Sequence, residues 1–159
     1  FKFSLTPGWK VNVSDLGRNV PYIESALSFN LAYGDRLSLG TEIKGTTLFS
    51  NKYEFYQAAS VELRGFRNNR FIGRQSLYQH TDLRLDLGHL KNPFTPLLYG
   101  VFLGFDYGRV WYPDEYSRKW HTSYGGGWWI TLFKNYTGKF SYFASKDGGR
   151  FSFGLGLGF

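Results

Sequence analysis

Apolar and non-apolar side chains alternate over most of this chain, and a period of two marks β-strands whose two faces differ. The pattern is clearest at the C-terminal end. Phe151, Phe153, Leu155, Leu157 and Phe159 alternate with Ser152, Gly154, Gly156 and Gly158. One face is wholly apolar and the other almost bare. A half-buried strand of a soluble protein would carry polar side chains on that second face. A face of small residues suits the filled interior of a narrow barrel.

The alternation recurs in seven segments upstream. Tyr136, Phe140, Tyr142 and Ala144 oppose Thr137, Lys139, Ser141 and Ser145. Tyr124, Trp128 and Ile130 oppose Ser123, Gly125, Gly127 and Thr131. Val101, Leu103, Phe105 and Tyr107 oppose Gly100, Gly104, Asp106 and Gly108. Leu83, Leu85 and Leu87 oppose Asp82, Arg84 and Asp86. Leu37, Leu39 and Ile43 oppose Ser38, Glu42 and Lys44, and Leu27, Phe29 and Leu31 oppose Glu24, Ser28 and Asn30. Phe1, Phe3, Leu5, Trp9, Val11 and Val13 oppose Lys2, Ser4, Lys10 and Asn12.

Eight strands result, each long enough for the roughly 9–11 residues that a tilted strand needs to cross a bilayer. Charge falls on one face only, and Tyr and Trp gather near strand ends, as interfacial girdles require. The connections alternate in length. Gly34-Asp35 and Lys134-Asn135 read as two-residue turns, whereas Ser50 to Gln75 and Trp111 to Trp120 are longer. Gly88 to Pro96 is a loop marked by Pro93 and Pro96. With the chain's end in the periplasm, the short turns lie there and the long loops outside. The predicted fold is therefore all-β: an antiparallel transmembrane β-barrel, one domain over 1–159, with a long extracellular loop at about 50–75. A soluble eight-stranded barrel is the alternative. It would turn the apolar face inward, and the sequence does not say which face is inside.

Composition narrows the classes. Of 159 residues, 21% are aromatic and 19% charged, which excludes a disordered chain. No apolar run is long enough for a transmembrane helix. There is no Cys, so disulfides and thiol chemistry are excluded. Phe1 begins inside an alternating segment, so we expect a processed chain or a piece of a longer one. The net charge of +7 fits a basic lumen and loops facing anionic outer-membrane lipid, lipopolysaccharide or phospholipid. Nucleic acid is not expected as a partner, because the basic residues are spread among the strands. No cofactor is implied. His80, His89 and His121 fall on separate elements and form no metal set. His121 and Ser123 could serve a hydrolase, but no acid is placed to orient the histidine.

Two sets of motifs carry a resemblance. The terminal run Ser152-x-Gly154-x-x-Leu157-x-Phe159 resembles the β-signal of outer-membrane proteins, which implies recognition by the barrel-assembly machinery. Leu63-Arg64-Gly65-Phe66, then Gly73, His80-Thr81-Asp82-Leu83-Arg84 and Gly104-Phe105-Asp106-Tyr107-Gly108 resemble the BamA/TamA superfamily, the bacterial surface antigens. The segments Gly108-Arg109-Val110-Trp111, Ser117-x-Lys119-Trp120-His121 and Tyr124-Gly125-Gly126-Gly127 resemble Bacteroidetes members. The resemblance covers about 36–159. It implies that Arg64, at the tip of the long loop, folds into the lumen and meets Asp82 and Asp106, with Arg84 beside them. Parity independently puts both aspartates on one face, where a guanidinium can bridge two carboxylates. His80 stands where the family often has Asn, and Gly104 where it often has Phe.

Barrels of that family have sixteen strands, and this chain supplies eight. It could be part of a larger protein, close alone, or pair with a second copy as a homodimer. The small lumen residues favour solitary closure. The resemblance implies a protein insertase or translocase acting on client outer-membrane proteins. A passive structural barrel, an anchor or subunit of an outer-membrane complex, is the alternative, and neither reading makes the chain an enzyme.

Overall fold

The computed structural model describes residues 1–11, 19–90, 96–112, 119–133 and 135–157, with Leu157 described by its backbone alone. The chain is all-β. Its strands are β1 (Lys2–Lys10), β2 (Val20–Tyr33), β3 (Leu37–Leu48), β4 (Ala59–Val61), β5 (Phe71–Gly73), β6 (Gln75–Leu90), β7 (Leu97–Trp111), β8 (His121–Leu132), β9 (Tyr136–Ser145) and β10 (Gly148–Leu157). The only helical element among the described residues is a 3-10 turn at Phe55–Gln57. Eight strands form one antiparallel sheet in the order β1-β2-β3-β6-β7-β8-β9-β10. This is a meander, interrupted only by the 50–75 loop. That loop contributes β4 and β5, a small antiparallel pair of its own.

Expectation and structure differ on closure. Among the described residues the sheet does not close: β1 pairs only with β2, and β10 only with β9. Solitary closure as an eight-stranded barrel is thus corrected to an open sheet with two free edges. The sheet is nonetheless curled. Ser28 and Asn30 of β2 line the same cavity as Ser152 and Gly154 of β10. Small lumen residues pointed to a closed ring, but the space they leave is taken by the long loop.

Two details of the turns also differ. Tyr33 pairs with Leu37 and Leu132 with Tyr136, so residues 34–36 and 133–135 close these hairpins. Each turn is one residue longer than expected, and each contains a positive φ, at Gly34 (67°) and Phe133 (51°). In β6 a bulge at Leu87 shifts the register between Asp86 and Gly88, so the alternation skips one position there. His80 and His89 were expected on separate elements. They share β6, nine positions apart on an extended strand, too far to meet at one metal.

The two faces of the sheet have opposite chemistry, and the structure shows which is inside. Leu103, Tyr124, Trp128 and Phe153 are 61–69% exposed, while Asp106 and Ser123 are fully buried. The register lines up apolar rows across strands on the outer face, such as Leu31, Leu39, Leu83 and Leu103. The inner face carries rows such as Glu42, His80, Asp106, Ser123 and Ser145. The buried clusters all sit on the inner side. Val61, Leu63, Phe66 and Phe71 of the loop pack on Tyr78, Val20 and Leu48 pack on Ala59, and Phe102, Trp129 and Phe143 pack together. At about 1.5–3 kcal/mol for each large side chain buried, the first two of these clusters hold the loop to the sheet.

Candidate functional site: the clasp between the long loop and the inner face

The site is built where the loop tip meets strands β6 to β9. Parity puts Asp82 and Asp106 on the inner face of adjacent strands, and Ser123 pairs directly with Asp106. The structure brings Arg64 between the two carboxylates. Its Nε and Nη2 donate to Asp106 Oδ1 at 3.0 and 2.6 Å, and its Nη1 donates to Asp82 Oδ1 at 2.7 Å. The backbone N–H of Arg64 donates to Asp106 Oδ2 at 2.9 Å, and so does the Ser123 hydroxyl. Asp106 therefore accepts hydrogen bonds on both oxygens, as a fully buried carboxylate must. Burial works against the charge on Arg64. The hydrogen bonds and charges of Asp106, then Asp82, outweigh it and hold the guanidinium pKa above its ordinary value.

Arg84 lies beside this pair, its Nη2 3.6 Å from Asp82 Oδ2. Asp82 thus faces two guanidiniums, one from the loop and one from its own strand.

Gly65 makes close approach possible. A Cβ there would stand 2.6 Å from Ser123 Cβ and 3.0 Å from the Ala144 carbonyl oxygen. Its backbone is fastened at both ends: its N–H donates to Ser123 Oγ, and its carbonyl accepts from Ser145 Oγ at 2.8 Å. Phe66 follows as the apolar plug. Its ring meets Phe71 edge-on at 4.9 Å, and Phe71 stacks on His121 at 3.7 Å. His121 and Ser123 are thereby both occupied by the loop, the first in ring stacking and the second in the Asp106 network.

Gly104 explains a partner that sequence reasoning missed. A Cβ at Gly104 would lie 2.5 Å from Phe143 Cζ and 2.7 Å from Arg64 Nη2. The aromatic ring over this position comes from β9: Phe143 is fully buried and sits 4.0 Å from the Arg64 guanidinium, a cation–π contact. Phe102, Phe143 and Trp129 interrupt the small and polar inner faces of their strands. That break in the alternation was the available signal. His80 contributes differently, its Nε2 meeting the Glu62 carbonyl oxygen of the loop.

The loop is fastened along its length. Gln57 Nε2 donates to the Lys10 carbonyl of β1 at 2.9 Å, and Lys10 Nζ donates to the Ala58 carbonyl at 3.3 Å. At the other edge Arg150 Nη1 donates to the Phe66 carbonyl and to Asn68 Oδ1. The loop is a strap running from the first strand to the last.

The terminal motif makes no direct bond to the Arg64 network among the described residues, although Ser152 and Gly154 line the cavity that Arg64, Asp82 and Arg84 also line. Ser152 Oγ bonds to Ser141 Oγ at 2.8 Å, and a Cβ added at Gly154, on the edge strand, would meet nothing within 4 Å. Leu157 pairs through its backbone with Tyr136, and its side chain, Gly158 and Phe159 lie outside the described residues. So do Asn12, Val13, Pro93, Ser117 and Lys134.

Together these features define an antiparallel sheet with an apolar outside, a polar inside and a loop clasped across it by an arginine–carboxylate network. No family model, curated protein or solved structure matches this chain.

Proposed function

We propose that this chain forms wall and inner loop of a transmembrane β-barrel in a bacterial outer membrane, of the BamA/TamA type, with a role in assembling or transporting outer-membrane proteins. The observation that carries the reading is the direction of the faces. Large apolar side chains cover the outside, and the charges of the strands face the inside, an inversion that water disfavours and a bilayer favours. The exception among the described residues is Arg109, which sits on the outer row near the end of β7 against Trp111 and Trp120. Strands of 9–16 residues are long enough to cross. The Arg64 clasp supports the family part, because it joins the residues that the resemblance singled out. The two free edges would be met by further strands, from the same polypeptide or a second copy, giving a ring of sixteen. Lipopolysaccharide and phospholipid are the proposed surroundings, the barrel-assembly machinery and client barrels the proposed protein partners.

Adjacent tryptophans test the membrane part. Trp128 is 61% exposed and Trp129 is 6% exposed. In variants that keep one of them as the sole tryptophan, vesicles with brominated acyl chains should quench Trp128 strongly and Trp129 little. Equal quenching, or none, would remove the reading. The activity part is tested by adding the protein to liposomes and following the folding of a client barrel. Acceleration over empty liposomes supports insertion. Its absence favours the passive wall or anchor, a reading favoured also by the tightly bonded loop tip.

A further inference from the structure

The loop side of the molecule concentrates positive charge at one place beside the clasp, outside the Arg64–carboxylate network. The turn from Arg67 to Arg70 is closed by the Arg70 N–H donating to the Arg67 carbonyl, with Asn69 at a positive φ of 55°. It faces the β9–β10 hairpin across a cavity of about 590 Å³. Arg67, Arg70 and Arg150 all line this cavity, and Asp147 is the only carboxylate that does. The three guanidiniums differ in how they are held. Arg70 Nε donates to Asp147 Oδ2 at 3.0 Å, and Arg150 is anchored on Phe66 and Asn68. Arg67 is exposed and forms no ion pair among the described residues, and it also lines the neighbouring cavity beside Arg150 and Asn68. On the hairpin side, Gly148 and Gly149 add only backbone between Asp147 and Arg150. Lys146, next in the chain, adds exposed charge of the same sign.

Asp147 offsets one of the three charges, and the remaining positive charge around one space repels unless a further anion sits there. Guanidinium forks match phosphate oxygens two at a time, and two of these three are already oriented by bonds to the protein. The cavity is larger than a bare phosphate needs and has room for part of its carrier. We propose that this cavity binds a phosphate monoester, with Arg67 as the free fork that closes on it and Arg70 and Arg150 as fixed partners. The carrier is either a lipid headgroup at the membrane surface or a soluble molecule. The lipid source rests on the membrane reading, whereas the soluble source does not.

The test uses the whole chain in detergent and in vesicles. Calorimetry with pyrophosphate, an anhydride whose terminal phosphoryl groups present the same three oxygens as a monoester, probes the soluble source. Phosphatidylcholine vesicles with and without phosphatidic acid, whose headgroup is a monoester, probe the lipid source. Saturable binding of either probe is expected. Arg67→Gln should weaken it about tenfold while leaving the circular dichroism unchanged, since hydrogen bonds to charged groups are worth that much. Asp147→Asn should strengthen it, because the one opposing carboxylate is gone. Pyrophosphate binding that competes with phosphatidic acid assigns both to this cavity. Indifference to both probes, binding unmoved by Arg67→Gln, or weakening by Asp147→Asn overturns the proposal. A protein that binds pyrophosphate but fails to enter vesicles upholds the site and removes the membrane reading. One that enters phosphatidylcholine vesicles but ignores both phosphates does the reverse.

Discussion

Arg64 satisfies two carboxylates that lie diagonally on one face of adjacent strands. Removing it leaves Asp106 buried with its charge uncompensated. Breaking a buried pair from one side typically costs about 3–5 kcal/mol. Arg64→Ala should lower the unfolding free energy by that order, measured by urea titration in the same lipid or detergent. Adding Asp106→Asn should recover part of the loss, since the orphaned charge goes with it. A loss near zero in Arg64→Ala would mean the clasp contributes nothing. The residues of this network differ in how far the sequence disclosed them. Asp82 and Asp106 could be placed on one face by counting, because a strand's side chains alternate without exception between bulges. Phe143 could not. Nothing local says that a ring two strands away will cover Gly104, since that depends on where the loop puts the guanidinium.

At the scale of elements, the strap is positioned by close contact as much as by charge. Gly65 lies against Ser123, Ala144 and Ser145 with no room for a methyl group. Gly65→Ala should therefore push the tip off the sheet at a cost of about 1–3 kcal/mol. Hydrogen exchange over Leu63 to Phe66 should speed up, with the strand cores β7 and β8 unchanged. Unaltered exchange at the tip would show that the packing there is slack. All eight sheet strands were legible from period alone, because one face is mostly apolar, with polar interruptions such as Ser25, Thr41 and Thr81. The pair β4 and β5 was not: Ala59–Val61 and Phe71–Gly73 are too short to show any period. Turn lengths were off by one for a similar reason. Alternation runs straight through Tyr33 and Leu132 and does not mark where pairing stops.

For the whole molecule, the free edges of β1 and β10 decide what assembles. An exposed edge offers a row of unpaired N–H and C=O groups, and in lipid each must find a partner. A single 18.4 kDa chain with two open edges is therefore not expected as the folded unit in a membrane. Light scattering in detergent should give at least twice that protein mass, either as two copies or with a further eight strands from a longer polypeptide. A monodisperse single chain with protected edge amides would overturn the ring of sixteen. Openness was the least legible property of all. Strand number and side-chain size can be counted, but closure depends on curvature, and the curvature here is shared with a loop that fills the inside.

The long reach of the strap has a consequence for the order of events. Ser145 meets Gly65 across 80 positions of chain, and Arg150 meets Phe66 across 84. Contacts so distant in sequence form late, after the ends have been brought together by everything between them. The tip has no complete seat until the final hairpin is in place. The arginine therefore acts as a bolt thrown after the last panel is hung: a wall lacking its C-terminal hairpin stays unlatched.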